Sequence, residues 1–269
     1  MSLSVCIVSC NEEENIGRTL SSVFELAEEI ILVDSGSTDR TLEIARGYGP
    51  KVKIFVEPWK GFGPQKNSAL GKASCDWILL LDADESLTPE LSDEIARVTA
   101  PATTPQPDAG LVAYRFPRRN IIFGRWIKHG GYYPDPKVGL IRRGTAGFEN
   151  RLAQEDLKVA AGSIVSLQGD LIHHAHHTLF DYIEHGNRHS SLDAEMVAAK
   201  GPCEFSVLRA FIGPAVGFIY DYVLRGGVLD GREGLLLHLN HAACVSWKYT
   251  KAWELSREKA RRKEADEEF

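Results

Sequence analysis

The 269-residue sequence lacks an excess of basic charge, a cysteine framework, internal repeats and any apolar run long enough and clean enough to cross a membrane without penalty. Lys and Arg number 31 against 37 Asp and Glu, a net charge of -6, which argues against a general nucleic-acid binder. The five cysteines are odd in number and have no framework spacing, as expected for a reducing compartment. An apolar strand pattern starts by Ser4, which leaves no room for a signal peptide, so a cytoplasmic location is expected. The length suffices for a sizeable core, with one domain and a helical extension as the natural count.

What the sequence does have is a regular alternation of strands and helices. Ser4–Ser9 reads as an apolar strand that runs into the polar turn Cys10-Asn11-Glu12-Glu13, and Ile16, Leu20, Val23, Phe24 and Ala27 follow at helical spacing. Ile30–Val33 is a second buried strand ending in Asp34-Ser35-Gly36-Ser37-Thr38-Asp39, with Thr38 or Asp39 placed to cap a helix reaching Tyr48. Val52–Val56 predicts a third strand, and Gly61-Phe62-Gly63-Pro64 leads to a helix from about Gln65. Ile78–Leu81 is the fourth strand, after which Thr88-Pro89 starts a helix with Leu91, Ile95 and Val98 on one face. Such alternation predicts an α/β fold with a mainly parallel sheet covered by helices on both faces, and ligands then bind outside the carboxyl ends of the strands.

The fourth strand ends in Asp82-Ala83-Asp84. Carboxylates at the end of a strand buried on both faces are costly unless compensated. Residues i and i+2 of an extended chain share a side, so both aspartates can face one divalent cation and, across it, a diphosphate. The alternative for an isolated Asp-x-Asp is a solvated acidic turn.

Asn11-Glu12-Glu13, Val33-Asp34-Ser35-Gly36-Ser37-Thr38-Asp39 and Asp82-Ala83-Asp84-Glu85, in this order and spacing, resemble the nucleotide-sugar half of the family 2 inverting glycosyltransferases of the GT-A fold. The resemblance is clear over residues 1–98. Gly61-Phe62-Gly63-Pro64-Gln65-Lys66-Asn67 and Tyr132-Tyr133-Pro134-Asp135 are similar to a bacterial subgroup that includes the lipopolysaccharide inner-core β-1,4-glucosyltransferases. The resemblance implies a GT-A domain over 1–200, with a nucleotide-sugar half at 1–98 and an acceptor half at 110–200, followed by a helical extension over 201–269. Residues 100–108, rich in Pro and Thr, read as an exposed loop between the halves.

Roles follow from the resemblance. Val8, Cys10 and Glu12 would border the nucleoside, with Cys10 standing where many relatives have an aromatic residue. Asp34 would accept a hydrogen bond from the base, and Lys66 would set a cation against base or diphosphate, although a solvated surface lysine explains it too. Asp82 would meet the ribose or a metal-bound water, and Asp84 would be the direct ligand of Mg or Mn. Inversion also needs a general base. The position of the family's glutamate falls on Asn150, with Glu149 one residue earlier. A one-residue shift reverses a strand side chain, so the candidates are Glu149, restored by a bulge or turn, and then Asp135. Gly139 stands where relatives often carry Arg.

His173-His174-Ala175-His176-His177 admits a metal reading, but acceptor binding by His173 at the mouth of the site is favoured. Tyr182, His185, Asn187, Arg188 and His189 crowd a helix that either lines the acceptor side or presents a solvated face. Phe205–Leu224 is 20 residues long but contains Arg209, Pro214 and Asp221. Its ten strongly apolar residues gain roughly 3 to 6 kcal/mol, and Arg and Asp each cost about 2.5 to 3.5, so insertion does not win. The spacing of 205, 208, 212, 216, 219 and 223 predicts a helix lying in the interface or packed on the domain. Trp247, Tyr249 and Trp253 beside Lys248, Lys251 and Arg257 suit an anionic headgroup region, a helical dimer face or plain core. Residues 257–269 read as a mixed-charge helix end or tail.

The expected activity is metal-dependent transfer of a sugar, with inversion, from a nucleoside diphosphate sugar such as a UDP-hexose to a saccharide or lipid-linked acceptor in envelope polysaccharide biosynthesis, at the inner face of the membrane. A homo-oligomer is compatible with this, and nucleic acid is not an expected partner. The alternatives are a non-catalytic nucleotide-sugar-binding protein and a sugar-1-phosphate nucleotidyltransferase. The latter usually carries a Gly-rich basic loop after strand one, where this chain has acidic Asn11-Glu12-Glu13-Glu14.

Overall fold

The computed structural model describes residues 3–100, 110–149 and 157–267, with side chains as far as 262. The expected loop at 100–108 lies, from 101 onward, outside the described residues. Close contacts divide the chain into two compact units, Met1–Asn120 with Pro134–Ala175, and Ile121–Tyr133 with His176–Phe269. This division differs from the expected boundary at 200. The helix Leu179–Ala199 packs on the long C-terminal helix and so falls in the second unit.

In the first unit the apolar runs form β1 (Leu3–Ser9), β2 (Glu29–Asp34), β3 (Val52–Val56) and β4 (Trp77–Asp82), followed by β5 (Glu85–Leu87). The helices between and after them are α1 (Ile16–Val23), α2 (Thr41–Gly47), α3 (Phe62–Leu70) and α4 (Pro89–Thr99). Later strands are β6 (Leu111–Phe116), β7 (Arg118–Ile122), β8 (Arg125–Ile127), β9 (Lys137–Arg142), β10 (Ala146–Phe148), β11 (Leu157–Val159), β12 (Ser163–Ser166) and β13 (Leu171–His176). A seven-stranded sheet has the order β12-β6-β9-β4-β1-β2-β3. The first four strands run parallel, and β9 is inserted antiparallel between β4 and β6.

Alternation along the strands builds two apolar layers. Val5 and Ile7 face one side, where Ile16 and Leu20 of α1 and Leu91 and Ile95 of α4 cover them. Cys6, Ile31 and Val33 face the other side, under Ala69 of α3. Each such fully buried aliphatic side chain contributes about 1.5 to 3 kcal/mol. Gly139 on β9 has a packing reason: a Cβ there would stand 2.4 Å from the ring of buried Phe116, so no arginine fits at this position.

Glu29 is buried at the amino end of β2 and accepts hydrogen bonds from Ser4 Oγ at 2.7 Å, from Ser74 N at 2.7 Å and from Ser74 Oγ at 2.8 Å, and it pairs with Lys53. Burial opposes its ionisation, but Lys53, Ser4 and Ser74 outweigh this and hold the carboxyl at about 2. A depressed folded-state value gives stability that is present above the unfolded carboxylate range and lost as pH falls toward 2.

In the second unit, α5 (Leu179–Ala199) starts at Thr178, whose Oγ1 accepts from Asp181 N. The chain continues through a π-helical turn at Leu208–Ile212, α6 (Gly213–Ile219), a second π-helical turn at Tyr220–Leu224 and α7 (Gly231–Glu267). Lys251 of α7 donates to Asn187 O and Oδ1, Ser190 Oγ and Ser191 Oγ of α5, at 2.7 to 2.9 Å. Trp253 meets Phe205, and Lys251 lies over Trp247. Trp247, Tyr249 and Trp253 are half-buried. Gly130 has φ +65°, and a Cβ there would meet the His238 ring at 2.2 Å, so this turn requires glycine.

Glu29→Gln should lower unfolding free energy by about 2 kcal/mol at pH 7. The difference from the parent chain should vanish toward pH 2, as read by urea titration across pH.

Candidate functional site

The carboxyl ends of β1, β2 and β4 meet at one edge of the first unit, with Val8 opposite Asp82 and Ser9 opposite Asp34 in the strand register. Beside β4 lies a cavity of about 220 Å³ lined by Val8, Lys66, Asp82, Arg118, Lys137 and Phe148, among others. Val8, Lys66 and Asp82 are thus brought together as the sequence implied.

Asp82 is held by two cations. Lys66 Nζ, from α3, lies 2.7 Å from Oδ1, and Lys137 Nζ, from β9, lies 2.9 Å from Oδ2. Burial opposes the charge, yet Lys137 and Lys66 outweigh it and hold the carboxyl well below the usual range. Lys137 also pairs with fully buried Glu85, whose other oxygen lies 3.3 Å from Arg118. Glu85 Oε2 accepts from Asp82 N at 2.9 Å, and Ala83 O accepts from Thr19 Oγ1 at 2.6 Å, so the Asp-Ala-Asp-Glu turn is fixed on both sides.

Arg118 extends the network. Its Nε and NH2 lie 2.9 and 2.8 Å from Asp135 Oδ2, which also accepts from Asn120 Nδ2 at 2.9 Å. Asp135 has φ +40°, a costly conformation for a residue with a side chain. Asn120 Oδ1 faces His173 Nδ1 at 2.7 Å, and His173 Nε2 faces Asp84 Oδ2 at 3.3 Å. The pairing of β13 with β5, which sets His173 opposite Glu85, together with a bond from His174 N to Asp84 O, brings these distant residues into register.

The Asp84 and His173 pair fits a divalent cation. With Nδ1–H given to Asn120 Oδ1, a neutral His173 turns the lone pair of Nε2 toward a carboxylate, which repels it. Either a proton or a metal ion between the two groups removes that conflict. An imidazole that binds a metal through one nitrogen commonly gives its other N–H to an oxygen acceptor, as His173 gives Nδ1–H to Asn120. Among the described residues no group of three or more His, Cys, Asp or Glu converges on one point, so the remaining positions would fall to diphosphate and water oxygens, as magnesium-type sites commonly arrange. Asp82, expected as a second ligand, has both oxygens engaged by lysines instead.

The other expected residues divide. Glu12 is half-buried and bonded to Asn15 Nδ2 at 2.9 Å. Burial, with Asp84, Asp39 and Asp82 nearby, pushes its carboxyl up to about 7 against that hydrogen bond. Cys10 is an exposed thiol at the strand end. Asp34 is fully buried and accepts from Ser9 Oγ, Gly36 N, Ser37 N and Ser37 Oγ at 2.6 to 2.9 Å. Four donors use up its lone pairs. It organises the Ser-Gly-Ser turn at the carboxyl ends of β1 and β2. Asp39 bonds Glu13 N, and Asn11, at φ +56°, bonds Ser37 and Thr38, so the two polar turns are laced together.

Glu149 follows the last paired residue of β10, Phe148, so strand alternation no longer governs its direction. Asn67 of α3 clamps that strand end by bonding Phe148 N and O, both at 2.8 Å, and places it at the cavity wall. Asn150 lies outside the described residues, as does the rest of the connection to β11. Sequence reasoning missed Glu85, Arg118, Asn120 and Lys137, and it gave His173 an acceptor role rather than a place beside Asp84. Arg118 and Lys137 meet Glu85 and Asp82 across 33 and 55 residues of sequence, a separation that local pattern does not bridge.

The chain belongs to glycosyl transferase family 2, whose family model matches residues 4–166. It is an enzyme of the glycosyltransferase class with a GT-A fold. An uncharacterized glycosyltransferase of Rickettsia typhi is 29% identical over 266 residues, which cover 94% of this chain and 87% of the relative. The lipopolysaccharide core biosynthesis glycosyltransferase LpsC of Rhizobium meliloti is 28% identical, covering 87% of this chain and 85% of LpsC. Among solved structures, the mannosyltransferase PcManGT of Pyrobaculum calidifontis, in complex with GDP-Man and Mn2+, shares the fold, with a TM-score of 0.53 at 14% identity, covering 93% of this chain and 86% of that one.

The raised value at Glu12 has a definite sign. The native state binds the extra proton between the ordinary carboxylate range and about 7, so this residue makes the chain less stable as pH rises through that window. Glu12→Gln should therefore raise the melting temperature at pH 8 and leave it unchanged at pH 4, as measured by calorimetry.

Proposed function

We propose that the chain transfers a hexose, with inversion, from a UDP-sugar to a hydroxyl of a saccharide or lipid-linked saccharide of the lipopolysaccharide-core type, using Mg or Mn held by Asp84 and His173. The observation that carries this reading is the facing of Asp84 Oδ2 and His173 Nε2 with His173 Nδ1 fixed by Asn120. The acceptor class is supported by the similarity to LpsC along most of both chains. The nucleotidyltransferase alternative is opposed by the acidic turn after β1, whose main-chain donors at Asn11, Glu12 and Glu13 are spent on Ser37, Thr41 and Asp39 rather than open to a triphosphate.

Charge balance explains why a cation is required. Lys66, Lys137 and Arg118 are matched by Asp82, Glu85 and Asp135, so the network is neutral and offers no surplus for a diphosphate. A divalent cation at Asp84 and His173 supplies that surplus and offsets the charge that grows on the diphosphate as its bond to the sugar breaks. Lys66 and Lys137 sit at the cavity wall, where they exchange part of their contact with Asp82 for phosphate oxygens. Asp82 keeps the two ammonium groups in place before the donor arrives.

In the transfer, the acceptor oxygen bonds to the anomeric carbon, the carbon–oxygen bond to phosphate breaks with its electron pair going to the nucleoside diphosphate, and the acceptor proton goes to a carboxylate. Asp135 Oδ2 is already engaged by Arg118 and by Asn120 Nδ2, which ties this carboxylate into the orienting network. We assign the base to the β10–β11 connection, with Glu149 in first place. Glu155 and Asp156 belong to the same connection in sequence.

Two measurements check this. Thermal shift with UDP should rise when manganese is added, and Asp84→Asn or His173→Ala should abolish the manganese-dependent part while Asn120→Ala weakens metal affinity about 10- to 100-fold. An unaltered manganese response in Asp84→Asn contradicts the assignment. For the base, Glu149→Gln should cut kcat by about 100-fold or more with donor affinity kept. Full activity in Glu149→Gln with loss in Glu155→Gln would move the base along the connection.

A further inference from the structure

The second unit exposes an apolar face that the glycosyltransfer reading does not use. Among the described residues, 14 of the 22 exposed large hydrophobic side chains lie between Phe205 and Leu239, so the exposure is concentrated in one short stretch. Leu208, Ile212, Val216, Ile219 and Val223, at helical spacing, are 63, 49, 59, 53 and 54% exposed, and Leu224 beside them is 72% exposed. These residues make one stripe across the π-helical turns and α6. The opposite side is inward: Ala210 and Pro214 are buried, and Tyr222, stacked on Phe218, meets His238 of α7. A contiguous apolar face of this extent on a folded unit marks an interaction surface.

Its charges state the partner. From Phe205 to Arg232 the exposed charged residues are Arg209, Arg225 and Arg232; exposed Glu204 precedes this stretch, and Glu233, paired with Arg232 at 2.7 Å, is less exposed than its partner. Asp221 is turned toward Arg225 at 3.2 Å, and Asp230 is buried against His129. Tyr220 lies under the Arg225 guanidinium, an aromatic and cation pair of the kind found at headgroup depth. An anionic bilayer surface matches both features at once. No helix among the described residues is long and apolar enough to cross a membrane, and Arg209 and Asp221 interrupt this one, so the segment would lie in the plane of the interface.

We propose that the 205–232 segment is an in-plane anchor that seats its apolar stripe among the acyl chains of an anionic phospholipid leaflet, with Arg209, Arg225 and Arg232 at the headgroups. This is independent of the donor-site assignment, because it uses none of the residues that line the cavity.

The test is flotation of the full chain with vesicles of phosphatidylcholine alone and of phosphatidylcholine with 30% phosphatidylglycerol. Binding to the anionic vesicles is expected, falling at least tenfold in high salt and at least tenfold in the triple variant Leu208→Ser, Val216→Ser, Leu224→Ser. Circular dichroism and UDP thermal shift on that variant keep the result separate from misfolding and from failure of the donor site. Arg209→Glu with Arg232→Glu should remove the preference for anionic lipid. Equal binding to both vesicle types would overturn the role of the arginines. No binding to either would overturn the anchor, whether the chain is a monomer or a dimer that the same serine substitutions dissociate.

Discussion

A buried strand that ends in carboxylates has to be neutralised, and the rest of the site follows from how this chain does it. Asp82 and Glu85 sit at the end of β4 and the start of β5, where hydration is largely lost, and Lys66, Lys137 and Arg118 are drawn in from α3, β9 and β7 to meet them. The pairing is complete, so these groups form a rigid, neutral wall rather than a positively charged funnel. That neutrality offers no surplus positive charge to a diphosphate, and on the proposed reading a cation at Asp84 and His173 would supply it.

The orienting chain behind that pair is continuous. Arg118 fixes Asp135, Asp135 fixes Asn120, Asn120 fixes the tautomer of His173, and His173 faces Asp84. The same arginine also touches Glu85, so the wall and the orienting chain share one side chain. The unusual backbone at Asp135 is held by these bonds. On the other side, Asp34 and Asp39 spend their oxygens on the two polar turns and give the site a fixed rim.

Much of the fold was legible because buried parallel strands and amphipathic helices leave strong periodic traces. β1 through β4 and α1 through α4 fall where apolar runs, Thr88-Pro89 and the polar turns place them. The acidic pair was legible for the same reason, as an anomaly within an apolar run. The partners of Asp82 were not, because Lys66 and Lys137 look like any other surface lysines until α3 and β9 are brought beside β4. The part Asp34 plays in holding its own turn was not legible either, because Ser9, Gly36 and Ser37 show no sign in sequence of converging on it. In the C-terminal region, Lys251 is held by α5 through Ser190, a partner the sequence pattern does not show, and the exposed apolar surface lies earlier, around Leu208–Leu224.

The most direct measurement is anomalous diffraction at the manganese edge from crystals grown with UDP and Mn. The account predicts one peak between Asp84 and His173, with diphosphate oxygens on its far side and Asp82 still in contact with lysine. A peak seated on Asp82 with both lysines displaced, or UDP bound with no peak at all, would contradict it.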